Sequence, residues 1–119
     1  MYVKSFKELI VWQRSIELVK EIYKITENFP LSERYVLVSQ IRKSAISIPS
    51  NIAEGKKRKT RKDFLQFLRI ADGSAAELET QIIISKELFP EVNFSKAESL
   101  LEEIQKMLIT IIKKLENPF

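Results

Sequence analysis

The sequence predicts an all-α domain, an antiparallel up-down-up-down four-helix bundle, and three observations carry that expectation. Apolar residues recur at spacings of three and four through four segments. Only two glycines and four prolines punctuate 119 residues, and a 45% hydrophobic share lets a single domain, residues 1–119, bury a core without disulfides or a metal. The connections are short and polar or proline-marked, which sets consecutive helices side by side in opposite directions.

In the first segment Ser5 and Glu8 form a capping-box pattern, and Leu9, Trp12, Ile16, Val19 and Tyr23 mark a helix of about 22 residues closed by Asn28-Phe29-Pro30. The second runs from about Ser32 through Ile41, Ala45, Ile48 and Ile52 to Gly55, which suits a left-handed C-terminal cap. Pro49 inside it removes a hydrogen bond to the preceding turn and predicts a kink. Thr60 and Asp63 restart a helix in which Phe64, Leu68, Ala71, Ala75, Leu78 and Ile82 keep a heptad spacing to about Leu88, with Asp72-Gly73-Ser74 weakening its middle. After Phe89-Pro90, Ser95 and Glu98 form another capping box, and Ala97, Leu101, Ile104, Leu108, Ile111 and Leu115 define the fourth helix.

The first helix has more apolar surface than one seam uses. Val11, Leu18, Ile22 and Ile25 form a second stripe roughly 120° from the first. It either widens the core face or packs against another subunit, and the latter reading favours a homo-oligomer.

Composition excludes several chemistries. With no cysteine and no histidine, the chain lacks thiol nucleophiles, disulfides, Ser-His-Asp machinery and the ligands of zinc or di-metal bundle sites. The absence of cysteine is consistent with a reducing cytosol, and a cytoplasmic location is expected. There is no Ser-x-x-Lys motif and no phosphate-binding glycine loop. The N-terminal stretch MYVKSFKELIVW carries charges where a signal peptide needs an apolar core, and no run is long enough to span a membrane. No enzyme activity, cofactor, metal or catalytic residue is expected.

Charge is concentrated in one place. The chain has 20 basic and 16 acidic residues; without Lys56, Lys57, Arg58, Lys59, Arg61 and Lys62 the balance is 14 to 16, so the net +4 becomes −2. Such a run is either a solvated interhelix loop or a binding surface. Arg61 and Lys62 occupy the first turn of a helix, where the dipole disfavours cations by about 0.3–1 kcal/mol each, and a bound polyanion would offset that cost. Arg69 lies one heptad beyond Lys62, and Arg42 and Lys43 would extend the surface into a stripe if helices 2 and 3 are neighbours. Phe64 and Phe67 follow directly; stacking on bases competes with core packing for both, and core packing fits the heptad position of Phe64. A membrane-surface role for this basic, aromatic helix start conflicts with the same apolar residues serving the bundle seam.

Two polar stripes, Gln40, Ser44, Ser47, Asn51 and Glu54 on helix 2 and Ser74, Glu77, Gln81 and Ser85 on helix 3, suit hydrogen bonding across a close helix contact. The functional alternative places Asn51, Glu54 and Glu77 in a ligand or catalytic cleft, with Glu54 or Glu77 as the reacting carboxylate, where buried carboxylates would need partners such as Arg42.

The succession Val11-Trp12-Gln13, Tyr23 with Thr26, Phe29-Pro30, Glu33-Arg34-Tyr35, Gln40-Ile41-Arg42 and then Ser47-Ile48-Pro49-Ser50-Asn51-Ile52-Ala53-Glu54-Gly55 resembles the 23S rRNA intervening-sequence proteins. Phe64, Phe67-Leu68, Ala71, Gly73-Ser74 and Glu77 continue the likeness, which covers about residues 6–88 and is most specific at Asn-Ile-Ala-Glu-Gly. The resemblance implies a four-helix bundle, in some members a ring-like homopentamer, with no catalytic motif. Relatives include accessory subunits of diversity-generating retroelements, which contact a reverse transcriptase and its RNA. This chain departs at Val36, where members often have glycine, and its basic run is denser. The resulting expectation is an oligomeric accessory protein, pentameric by resemblance, that uses Arg42, Lys43, Lys56, Lys57, Arg58, Lys59, Arg61, Lys62 and Arg69 to contact the backbone of RNA or an RNA-DNA hybrid. The alternative is a scaffold docking an acidic protein partner such as a polymerase or reverse transcriptase.

Overall fold

Four helices, α1 (Ile10–Thr26), α2 (Ser39–Lys56), α3 (Arg61–Leu88) and α4 (Ser95–Glu116), alternate in direction around one core in a computed structural model that describes residues 5–117. Residues 1–4, which open the N-terminal stretch considered above for a signal peptide, and residues 118–119 lie outside the described part. The bundle measures 48 × 20 × 20 Å. Its tightest pairing is α2 with α3, while α1 packs on α2 and α4, and α3 on α4. Among the described residues there is no strand and no helix long and apolar enough to cross a membrane.

The expected first helix is divided. Ser5 accepts a hydrogen bond from the Lys7 amide and caps a 3-10 turn, Phe6–Glu8, rather than an α-helix. Leu9 is extended (φ −73°, ψ 124°), and α1 starts after it. The bend is held by the Gln13 amide, which donates to the Lys7 carbonyl at 2.8 Å, and by Phe6 packing edge-on against Trp12 with centroids 5.3 Å apart.

The two stripes of α1 have exchanged roles. Val11, Leu18, Ile22 and Ile25 form the core face, whereas Leu9, Trp12, Ile16 and Val19 are half-buried and Tyr23 is exposed. Ser15 explains the exchange: it is fully buried between Val11 and Leu18, with its hydroxyl satisfied by the Trp12 carbonyl at 2.7 Å. A polar residue in the middle of the true core stripe thinned its apolar signal, yet its small size suits close helix packing.

Before α2 the chain passes through a 3-10 turn (Leu31–Glu33) and a π-helical turn (Arg34–Val38), so the α-helix begins seven residues after the expected Ser32. Pro49 is buried within α2, which continues as one element to Lys56. Gly55 is not a left-handed cap: no described residue has positive φ, and the helix ends one residue later. Its role is proximity. A Cβ there would sit 2.7 Å from the Phe67 Cβ and 3.3 Å from the Phe64 carbonyl oxygen, so only glycine lets α3 approach so closely.

Thr60 caps α3 as expected, accepting from the Asp63 amide. Ser95 does not cap α4; it is the first helical residue, and its amide is bound by the Asn93 side chain at 2.9 Å. Ile41, Ala45, Ile48 and Ile52 of α2, Leu68, Ala71, Ala75, Leu78 and Ile82 of α3, and Ala97, Leu101, Ile104 and Leu108 of α4 fill the core as the heptads require. Gly73 differs from Gly55, with open space where its Cβ would lie. Gly73→Ala is therefore expected to stabilise the fold by about 0.5–1 kcal/mol through helix propensity, read as a higher urea midpoint. A lower midpoint would contradict the open helical environment assigned to it.

Candidate nucleic-acid interface

The basic run lies at one end of the rod. Alternating helix directions bring together the start of α1, the end of α2, the start of α3 and the end of α4. Lys57, Lys59, Arg61 and Lys62 project from the α2–α3 connection and the first turn of α3; all are exposed, and among the described residues none has a carboxylate within ion-pair distance.

The two other cations of the run are engaged. The Lys56 ammonium lies over the Phe64 ring, 5.8 Å from its centroid. Arg58 is held between Glu54, at 2.7 Å, and the face of Phe67, at 4.8 Å. Phe64 and Phe67 are both half-buried, because Gly55 draws α2 against them; each shows a ring face that a cation already covers. Arg69 pairs with Glu116 and thereby ties α3 to the last turn of α4.

The same topology adds Lys7, before α1, and Lys113 and Lys114, in the last turn of α4, to this end. Sequence reading missed them because their neighbourhood is created only by the fold. Conversely, Arg42 and Lys43 do not join the stripe, although α2 and α3 are neighbours. Arg42 lies 14 residues before Lys56 on one helix, about 21 Å away at 1.5 Å per residue, and turns towards α1. There its Nε donates to the Thr26 hydroxyl at 2.9 Å, and its guanidinium covers the Tyr23 ring at 4.2 Å.

The polar stripes serve the α2–α3 seam. Ser47 and Ser74 share a hydrogen bond of 2.7 Å between helices, and the Asn51 amide donates to the Ser47 carbonyl and hydroxyl. Glu54 and Glu77 are exposed, so neither is the buried carboxylate that a cleft would require. Among the described residues no group of three or more carboxylates could hold a metal ion.

A family model for the 23S rRNA-intervening sequence protein matches residues 7–110. A solved structure from Bacteroides thetaiotaomicron, described as a protein of unknown function from the S23 ribosomal protein family, superimposes with a TM-score of 0.74 at 32% sequence identity. That match covers 87% of this chain and 99% of the other. No curated protein matches.

Proposed function

Because the chain belongs to the 23S rRNA-intervening sequence protein family, we propose that it is a non-catalytic, cytoplasmic accessory protein that binds RNA through the phosphate backbone. The observation that carries this reading is the set of four cations, Lys57, Lys59, Arg61 and Lys62, that have no ion-pair partner among the described residues, gathered with Lys7, Lys113 and Lys114 at one end of a chain whose charge elsewhere is slightly acidic. Free cations crowded at a helix start repel one another, and a polyanion converts that repulsion into binding. Backbone charge, not base identity, is what such flexible exposed cations read.

The same proposal includes assembly of copies. Trp12, Ile16 and Val19 form a half-buried apolar stripe on α1, packed in part against the core, and its outer edge is a surface open to another subunit. A pentameric ring would repeat the basic end five times and multiply weak contacts.

The test is fluorescence anisotropy of a labelled single-stranded RNA over a salt series, on protein whose mass is fixed by light scattering. Replacing Lys57, Lys59, Arg61 and Lys62 by Gln is expected to lower the slope of log K against log salt by up to about 3 per protomer, at about 0.7 per lost phosphate contact. An unchanged slope would sink the proposal.

A further inference from the structure

The end of the bundle remote from the basic run carries a second, differently built cationic feature. Arg14, Arg58 and Arg69 each reach a carboxylate. Arg42 is half-buried, and among the described residues it has no acidic partner. A partly desolvated guanidinium normally finds a counter-charge, because burial without one is costly. Its contacts also fix its pose: Thr26 takes the Nε hydrogen and Tyr23 takes one face, which leaves the terminal nitrogens to meet a ligand.

The surroundings continue the pattern. A groove of about 470 Å³ runs between α1 and α2, lined by Tyr23, Arg34, Tyr35, Val38, Arg42, Lys43 and their neighbours Ser39 and Ile46. Three cations line it and no carboxylate does. The π-helical turn, a geometry frequent at functional sites, supplies Arg34, Tyr35 and Val38 to its wall. Tyr35 is 87% exposed and Ile46 41%. Tyrosine and arginine beside aliphatic groups is the composition of protein-binding hot spots. Flexible surface lysines distinguish the other end, whereas this one offers a planar fork with an apolar rim, which suits a carboxylate set beside a hydrophobic side chain.

We propose that this groove docks an acidic peptide segment of a partner protein, with a Glu or Asp carboxylate on the free edge of Arg42 and an adjacent apolar side chain on Ile46 and Tyr35. Arg34 and Lys43 supply the flanking positive field. The site is separate from the RNA-binding reading and does not depend on it.

A random peptide display library selected against the intact protein tests this. Selected peptides should share an acidic residue next to an apolar one and bind in solution. Their affinity should fall about tenfold or more in Arg42→Gln, as expected of a hot spot. Arg34→Gln and Tyr35→Ala, at exposed positions where folding is not at stake, should also weaken them. Neutralising Lys57, Lys59, Arg61 and Lys62 should leave peptide binding unchanged. Peptides without a carboxylate, or peptides that bind all three groove variants like the wild type, would overturn the proposal. Loss of RNA affinity in Arg34→Gln and Tyr35→Ala would reassign the groove to phosphate, and a changed oligomeric mass would reassign it to a second copy of the chain; either result also overturns it.

Discussion

Phe94→Ala is expected to cost about 3–5 kcal/mol of folding stability, the range for removing a buried phenyl ring that its surroundings cannot refill. Phe94 is 2% exposed and immediately precedes α4. Its ring meets Phe29 edge-on at 6.1 Å, and Phe29 in turn packs against Phe89 at 5.2 Å. The cluster therefore joins the chain just after α1, just after α3 and just before α4. The Phe94 carbonyl also accepts the Glu98 amide at 2.8 Å, which fixes the first turn of α4. Truncation opens a cavity where the α1–α2 and α3–α4 connections converge, so relaxation of one helix alone cannot close it. Urea titration should show a lower midpoint at unchanged slope. A loss below about 1 kcal/mol would mean that the end of the bundle collapses around the gap, contrary to the packing described.

Gly55→Ala sets two effects against each other. Alanine is the better helix former by about 1 kcal/mol. Against that stands the added methyl, 2.7 Å from the Phe67 Cβ. The atom it meets is anchored to the α3 backbone and cannot swing away, so the helices must part; overpacking of this kind costs about 1–3 kcal/mol. The clash is expected to win and the variant to be less stable than the wild type. Shortening Phe67 to alanine would not relieve it, because alanine keeps the Cβ. A Gly55→Ala protein as stable as the parent would show that α2 and α3 are not held at this distance by the glycine.

The four helices and the core residues of α2, α3 and α4 were legible because heptad spacing alone specifies which face is buried. In α1 the pattern offered two apolar faces, and the choice fell to Ser15, a residue that periodicity counts against burial. The break at Leu9 was invisible because it rests on side-chain contacts, Gln13 to Lys7 and Phe6 to Trp12. Gly55 stands out in the sequence, but a glycine near a helix end reads as a left-handed cap, and its closest contacts come from α3, which the local sequence does not show. The basic run was evident as composition. Its division into engaged cations, Lys56 and Arg58, and free ones was not, because it rests on where Phe64, Phe67 and Glu54 point.

The lopsided charge of a rod 48 Å long also bears on how an encounter begins. A polyanion exerts a torque on such a molecule and turns the cationic end forward before any contact forms. At physiological ionic strength the field decays over about 8 Å, a small fraction of the rod, so alignment occurs only in the last moments of approach. Dilution of the salt lengthens that reach, and the proposed association with RNA should then quicken while the lifetime of the bound complex changes less.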